Sequence, residues 1–251
     1  MGQTPVSAIE HYQTFLASHY TWMSGPYEDK VAAHQVIFSR FGFAPGVTGE
    51  ALDLASGPGC QTLALARMGF SVTAVDASAP LLAELREHAV GLQVRTVEQD
   101  LCALAQCATL PDQVDVAVCM GDILPHLPSR ECVTSLFAEV NRRLVPRGKF
   151  ILGFRDLSQE LFGVDRFVPI RGDSDRVMTC FLEYEQETVV VHDLIHVREG
   201  AGWTLHKSAY RKLRLSLAWV EMKLRESSFK VLEREQAAGV WTVVAEKIKA
   251  L

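Results

Sequence analysis

The sequence predicts an α/β chain: a seven-stranded, mostly parallel sheet with an N-terminal helical lid and an antiparallel β insertion after strand five. Three observations predict it. From about residue 50 to 155, short continuous apolar runs alternate with helical periodicity, as strands buried on both faces of a parallel sheet do. Residues 164–212 are rich in β-branched and aromatic side chains broken by short polar turns, the pattern of an antiparallel meander. The first 48 residues carry apolar positions at helical spacing.

Residues 1–48 are read as the lid. Ile9, Tyr12, Phe15, Leu16 and Tyr20 recur at helical spacing, and Val31, Val36, Ile37 and Phe38 do so ahead of Gly42. The aromatic segment Tyr20-Thr21-Trp22-Met23-Ser24-Gly25-Pro26-Tyr27 is expected to turn between them. A core at 49–160 follows, with strands at Ala51–Leu54, Val72–Val75, Leu92–Val97, Val114–Cys119 and Lys149–Phe154. Ahead of the fifth run, Ser129 can cap a helix whose stripe Val133, Leu136, Phe137, Val140, Leu144 ends at Pro146 and Gly148. The insertion, 161–212, holds three predicted strands, Val177–Glu185, Thr188–Val197 and Trp203–Lys212. A helix at Leu213–Ser227 and strands at Phe229–Arg234 and Val240–Lys247 complete the region 213–251. No internal repeat or low-complexity linker interrupts the chain, so 1–251 reads as one domain.

Composition narrows the function. The chain has 251 residues, 48% apolar and 22% charged, and a formal net charge of −5. Those are values of a globular chain, too apolar for a disordered one. The acidic balance argues against a phosphate-backbone partner; the local exception, Arg211, Lys212 and Arg214, reads as a solvated strand edge. No apolar stretch approaches the ~20 residues of a membrane span. The opening Met1-Gly2-Gln3-Thr4-Pro5 has no basic-then-apolar pattern, and Val6 breaks the myristoylation pattern, so no leader or lipid anchor is expected. Cys60, Cys102, Cys107, Cys119, Cys132 and Cys180 never form Cys-x-x-Cys; they read as reduced, mostly buried residues in a cytoplasmic protein. A homodimer is compatible with this pattern.

The sharpest motif is Ala51-Leu52-Asp53-Leu54-Ala55-Ser56-Gly57-Pro58-Gly59. A glycine-rich turn after a buried strand lets backbone approach a ligand and opens a helix toward it. The dinucleotide form Gly-x-Gly-x-x-Gly is absent, since Thr62 stands three after Gly59. Asp53 beside that turn would repel a pyrophosphate and suits a cationic ligand, such as an ammonium or sulfonium. Asp76 closes the second strand at the spacing from which an acid binds ribose hydroxyls. Asp100 after the third strand can accept from an adenine amine or simply cap a helix. Met120-Gly121-Asp122 and His126 follow the fourth strand, at the carboxyl edge where open α/β sheets bind ligands.

This constellation resembles the class I S-adenosylmethionine-dependent methyltransferases, well over Glu50–Arg155 and loosely over the C-terminal strands. The resemblance implies a Rossmann-like fold and S-adenosyl-L-methionine as cofactor. It places Asp53, Ala55, Gly57 and Gly59 around the methionine part, Asp76 and Ala77 at the ribose, and Asp100 and Leu101 beside adenine. Tyr20, Trp22, Met120 and Gly121 complete the expected cofactor set. The chain departs at Ala55, where many members have Gly, and at Pro146-Arg147-Gly148 in place of Pro-Gly-Gly.

A finer similarity is to small-molecule enzymes of the glycine N-methyltransferase-like kind. It rests on Tyr20-x-Trp22-Met23, Gly121-Asp122 with His126-Leu127, Phe154-Arg155-Asp156 and the meander. It implies that the N-terminal segment and meander enclose the acceptor and that Arg155 binds an acceptor carboxylate. His126, Arg155 and Tyr20 are the expected catalytic residues, within a wider acceptor pool adding Trp22, Met120, His206 and Tyr210.

Each has a plainer alternative. Tyr20, Trp22 and Met23 can be core aromatics, His126 a loop histidine on backbone, and Arg155 a partner of Asp156 or Glu160. His192 and His196 share a strand face but lack a third ligand, so no metal is expected. Nucleic-acid substrates are set aside because the fourth strand lacks Asp/Asn-Pro-Pro-Tyr/Phe and the chain contains no Pro-Cys. The expected reaction is methyl transfer to an amine or hydroxyl of a small-molecule metabolite, the amine slightly ahead. A hydroxyl would need a positioned base such as His126. The rivals are a non-catalytic module holding the cofactor or its demethylated product, and a nicotinamide-dependent oxidoreductase.

Overall fold

The computed structural model describes residues 5–249 except 44, 45 and 47; Met1-Gly2-Gln3-Thr4, on which the expectation of no leader or lipid anchor rests, lies outside the described residues. The chain opens with α1 (Ala8–His11), a π-turn over Tyr12–Leu16, α2 (Ala17–Ser24) and α3 (Tyr27–Arg40). Helix runs on through Trp22, and the expected aromatic turn shrinks to Gly25-Pro26. Gly25 adopts φ 95° there, and proline then supplies the fixed φ that starts the next helix.

The core consists of β1 (Gly49–Leu54), α4 (Cys60–Met68), β2 (Phe70–Asp76), α5 (Ala79–His88), β3 (Val94–Glu98), β4 (Val114–Cys119), α6 (Arg130–Arg143) and β5 (Leu144–Arg155). The insertion adds β6 (Phe167–Gly172), β7 (Arg176–Tyr184), β8 (Thr188–Glu199) and β9 (Gly202–Leu213). The chain closes with α7 (Leu217–Glu226), β10 (Phe229–Ala237) and β11 (Val240–Lys247). The large sheet has the order β10-β11-β5-β4-β1-β2-β3, and only β11 runs against the others, antiparallel to both β10 and β5. The second sheet is a four-stranded antiparallel meander, β6-β7-β8-β9. Sequence patterning showed only three of those strands, because β6 carries Pro169, Arg171 and Gly172, poor strand formers tolerated at an edge.

Alternation explains why the parallel strands read as continuous apolar runs. Leu52, Leu54, Ala117, Cys119, Phe150 and Leu152 face Val133, Leu136, Phe137 and Val140 of α6. Their neighbours Ala51, Val116, Val118 and Ile151 face the other way, toward Leu63 and Leu65 of α4, Leu82 and Leu85 of α5, and Phe38 of α3. Both faces are buried, so both parities are apolar. The N-terminal region therefore divides: α3 belongs to the core, while Leu16, Phe15, Tyr12 and Tyr20 sit on the inner face of the small sheet with Met178, Val191, Ile195 and Tyr210.

The cysteines correct the sequence reading. Cys102 and Cys132 are joined in a disulfide, with Cα atoms 5.3 Å apart across a sequence separation of 30. Neither lies in a spacing motif. The fold brings them together, because the 3-10 turn Leu101–Gln106 after β3 packs beside the first turn of α6. None of the described helices is long and apolar enough to cross a membrane.

Candidate active site

The carboxyl ends of β1, β2, β3 and β4 converge on one cavity of about 390 Å³. Its floor is Ala55, Gly57, Asp76 and Ala77; Asp100 and Leu101 form one wall, and Ile123, His126 and Leu127 another. The roof is the N-terminal segment, through Val6, Ile9, Tyr12 and Gln13, with Tyr20 beside it. A shallower groove of about 720 Å³ along edge strand β10 lies away from these strand ends.

The turn after β1 adopts the backbone its residues suit. Ala55 and Gly57 are left-handed, at φ 56° and 54°, and the aromatic edge of Tyr20 would lie 3.6 Å from a Cβ added at Gly57. Gly59 serves packing instead. A Cβ there would meet Leu85 Cδ1 at 2.0 Å, so its bareness seats α5 against α4. Asp53 lies beneath the cavity, fully buried, and accepts from Thr62 Oγ1 at 2.5 Å; burial pushes its carboxyl up to about 7. Asp76 is anchored by two backbone donors, Gly57 N at 2.7 Å and Ser78 N at 2.8 Å. Each carboxylate oxygen keeps a second lone pair for a ligand.

At β3, Asp100 Oδ1 accepts from Cys102 N to cap the 3-10 turn, and the residue also lines the cavity. Met120 is buried against Gly153 of β5 and Gly121 is exposed, and neither lines the cavity. Asp122 is the junction of this edge. It sits at φ 70°, its Oδ1 accepts from Arg155 N at 2.7 Å, and its Oδ2 pairs with Lys212 Nζ at 2.7 Å. A non-glycine residue in that region is strained and persists because its partners over-determine it. Its carbonyl accepts from His126 Nδ1 at 2.7 Å. A carbonyl only accepts, so Nδ1 carries the proton and Nε2 presents a lone pair. That lone pair faces the Tyr12 hydroxyl at 3.2 Å. Burial, with Lys212 adding, lowers the His126 imidazole to about 3, so it is neutral at physiological pH.

Several expected residues lie elsewhere. Arg155 extends to the carbonyl of Ala238 in the β10–β11 turn, 3.0 Å away, because β5 pairs with β11 and the side chain follows that hairpin outward. Neither carboxylate expected beside it is its partner: Asp156 caps Ser158 and Leu217, and Glu160 pairs with Arg214. Trp22 donates to Asp173 beside Arg171 and Arg176, outside the cavity. His206 is exposed on β9, and Tyr210 is buried behind His126 rather than lining the site. Lys212 and Arg214, read as a solvated edge, are instead pinned to Asp122 and to the carbonyls of Leu157, Ser158 and Glu185. Sequence reading treated Tyr12 as a lid residue and gave no role to Gln13. His11 and Tyr12 are adjacent aromatic polar residues on a helix read as amphipathic, the one available signal.

Residues 51–148 match a family model described as a methyltransferase domain. Over those residues the chain is similar to a methyltransferase domain. The methyltransferase domain and its surroundings resemble the CcbJ methyltransferase of Streptomyces caelestis, at TM-score 0.75 and 20% identity over 95% of this chain and 98% of that one. They also resemble CalS10 of Micromonospora echinaspora, an amino pentose methyltransferase solved with S-adenosylmethionine, at TM-score 0.72 and 15% identity over 98% of this chain and 100% of that one. Both likenesses are of fold. In sequence, the ubiquinone biosynthesis O-methyltransferase of Cupriavidus pinatubonensis is 28% identical over 129 residues, 50% of this chain and 51% of that protein. The chain thus matches about half the length of that relative.

S-adenosylmethionine is the cofactor of this class, and the methyltransferase domain here fits it. Buried Ser56 Oγ and Ser78 Oγ have no hydrogen-bond partner among the described residues, beside a carboxylate already held by two backbone donors. Asp76 and Ser78 suit the ribose, Asp100 and Leu101 the adenine, and Ala55 and Gly57 a closely approaching methionine part.

Proposed function

We propose that this protein transfers a methyl group from S-adenosylmethionine to a hydroxyl or amine of a small molecule with a largely apolar body. When bound, the cofactor supplies a methyl group on a sulfonium, a good leaving group in direct displacement. The chain's work is then to align the acceptor, exclude water and take a proton. Val6, Ile9, Ile123, Leu127 and Pro128 give the acceptor side apolar walls. Tyr12 and His126 are its convergent polar groups.

The observation that carries the reading is the Tyr12–His126 pair, with the imidazole neutral and its proton fixed on the Asp122 carbonyl. An acceptor O–H that bonds to the Tyr12 oxygen can pass its proton through Tyr12 to His126 Nε2, or replace Tyr12 as donor to that atom. This arrangement favours a hydroxyl acceptor over an amine, reversing the order the sequence suggested. Two carriers of the finer, glycine N-methyltransferase-like similarity, Trp22 and Arg155, face away from the cavity, so no carboxylate clamp on the acceptor is included.

The test is calorimetric titration with S-adenosylhomocysteine, with NAD in parallel, followed by a methyl-donor assay over phenols, alcohols and amines. Micromolar S-adenosylhomocysteine binding, no NAD binding and turnover on a hydroxyl acceptor are the expected results. Binding without turnover on any acceptor would make the chain a cofactor-holding module. NAD preference would overturn the reading altogether.

A further inference from the structure

Beneath the roof of the cavity lies a buried polar cluster that the proposed reaction does not use directly. His11, the last residue of α1, is fully buried against the inner face of the small sheet. On β7 and β8 that face is otherwise apolar around it, with Met178, Leu182, Val189, Val191 and Ile195, while β9 adds His206, Tyr210 and Lys212. One cross-strand row breaks the pattern: Cys180 on β7, Asp193 on β8 and Ser208 on β9 stand opposite one another. The His11 imidazole fits that row. Nε2 donates to Asp193 Oδ2 at 2.8 Å, Nδ1 bonds Ser208 Oγ at 2.9 Å, and Asp193 Oδ1 accepts from Cys180 Sγ at 2.8 Å.

We propose that His11 and Asp193 are positioning residues: their buried hydrogen bond seats α1 on the small sheet at the register that places the Tyr12 hydroxyl on His126 and closes the cavity roof. The inference rests on reading the cavity as the methyl-transfer site. A short helix held only by apolar contacts could slide on the sheet, whereas the one row that is polar on β7, β8 and β9 together accepts an imidazole at one place. Buried polar partners fix register in this way because any shift leaves a donor or acceptor unmade.

The coupling to the site is short. Tyr210 stacks on His11 with ring centroids 4.2 Å apart and lies parallel to His126 at 5.5 Å. Tyr12, next in sequence to His11, meets His126 edge-on at 5.3 Å. Val6 N donates to Ala209 O at 2.9 Å, a backbone tie between the roof and β9, so the roof docks as a unit around His11.

The experiment compares wild type with His11→Phe/Asp193→Leu, which replaces both partners by apolar groups and so avoids stranding a buried charge. The readouts are hydrogen exchange of residues 5–13, ¹⁵N-histidine spectra of His126 and the dissociation rate of S-adenosylhomocysteine. The expected results are exchange in 5–13 and ligand release each faster by about tenfold, because Ser208 Oγ and Cys180 Sγ lose the buried partners that fixed the register. In the same variant His126 should titrate toward its ordinary range while exchange in β1 and β4 stays unchanged. Asp193→Asn alone, which keeps an acceptor for His11, should stay close to wild type in all three readouts. Unchanged exchange in 5–13 and an unchanged His126 spectrum in the folded double variant would overturn the proposal. If the double variant does not fold, Asp193→Leu alone, which removes the acceptor of His11 Nε2 and leaves the imidazole on Ser208, is read by the same measurements. Failure of wild type to bind S-adenosylhomocysteine would remove the methyl-transfer reading, while exchange and spectra would still decide the role of His11.

Discussion

Substituting Gly59 by alanine separates two roles that one motif residue can have, ligand contact or helix seating. Gly59 is left-handed at φ 97°, and a Cβ there stands 2.0 Å from Leu85 Cδ1, where carbon atoms normally rest about 3.5–4 Å apart. Leu85 is fully buried, so relieving the contact displaces a packed side chain by more than an ångström. The left-handed backbone costs alanine about 1–2 kcal/mol, and overpacking adds about 1–3 kcal/mol. The stiffer unfolded chain returns about 0.4–1 kcal/mol, leaving a net loss of about 1–4.5 kcal/mol. Urea denaturation of Gly59→Ala, Leu85→Ala and the double variant measures it. Leu85→Ala alone should cost about 2–5 kcal/mol for its cavity. The double variant should be less destabilised than the sum by about 1–3 kcal/mol, because the new methyl occupies space the leucine vacated. Strict additivity would refute the seating role. So would a Gly59→Ala protein of normal stability that has lost only S-adenosylhomocysteine affinity.

Three further outcomes are expected. Asp76→Asn cannot offer acceptors to both Gly57 N and Ser78 N or a charged partner to the ribose, so calorimetry should find S-adenosylhomocysteine bound about 10- to 150-fold more weakly; a change within about threefold would remove Asp76 from the site. His34, whose buried Nδ1 has no partner among the described residues, is lowered by burial to about 4 from an unfolded value of 6.5. Unfolding therefore takes up a proton between those values, and stability falls as pH drops through that window. His34→Leu should remove roughly 2 kcal/mol of the loss between pH 7.5 and 5 in urea titrations, and an unchanged pH slope would count against it. Reducing the Cys102–Cys132 disulfide, or Cys102→Ser, should cost about 3–4 kcal/mol, the loop-closure value for a separation of 30 residues. Identical urea midpoints with and without reductant would show that the bond carries no such load.

The sequence showed the large sheet and the cofactor side of the site more fully than the acceptor side, for a physical reason. Asp76, Asp100 and the Gly57 turn act through local backbone geometry at strand ends, and such geometry is written in short motifs. Burial on both faces makes β1, β2 and β4 continuous apolar runs that are visible without any partner. The acceptor side depends on which residues meet across the chain. Tyr12 meets His126 across 114 positions, and His11 meets Asp193 across 182. No local spacing encodes either contact. Arg155 shows the same limit from the other side: it stands at the end of β5 as expected, but pairing with β11 turns it outward to Ala238. The disulfide likewise needed the tertiary contact between the turn after β3 and α6.

Asp122 has a consequence for how such a chain can be altered. The large sheet reaches it through Arg155 N, the small sheet through Lys212 Nζ, and the loop imidazole through its carbonyl. Two sheets and a loop are thus aligned on one residue, as parts of an instrument are aligned on a common pin. With Asp122 and Lys212 kept, the outward-facing side of the meander can be rebuilt, its strands lengthened or its turns replaced, while the sheet edge and its histidine hold their places. Changing the pin alone should spread error through all three pieces at once, even where every other residue is native.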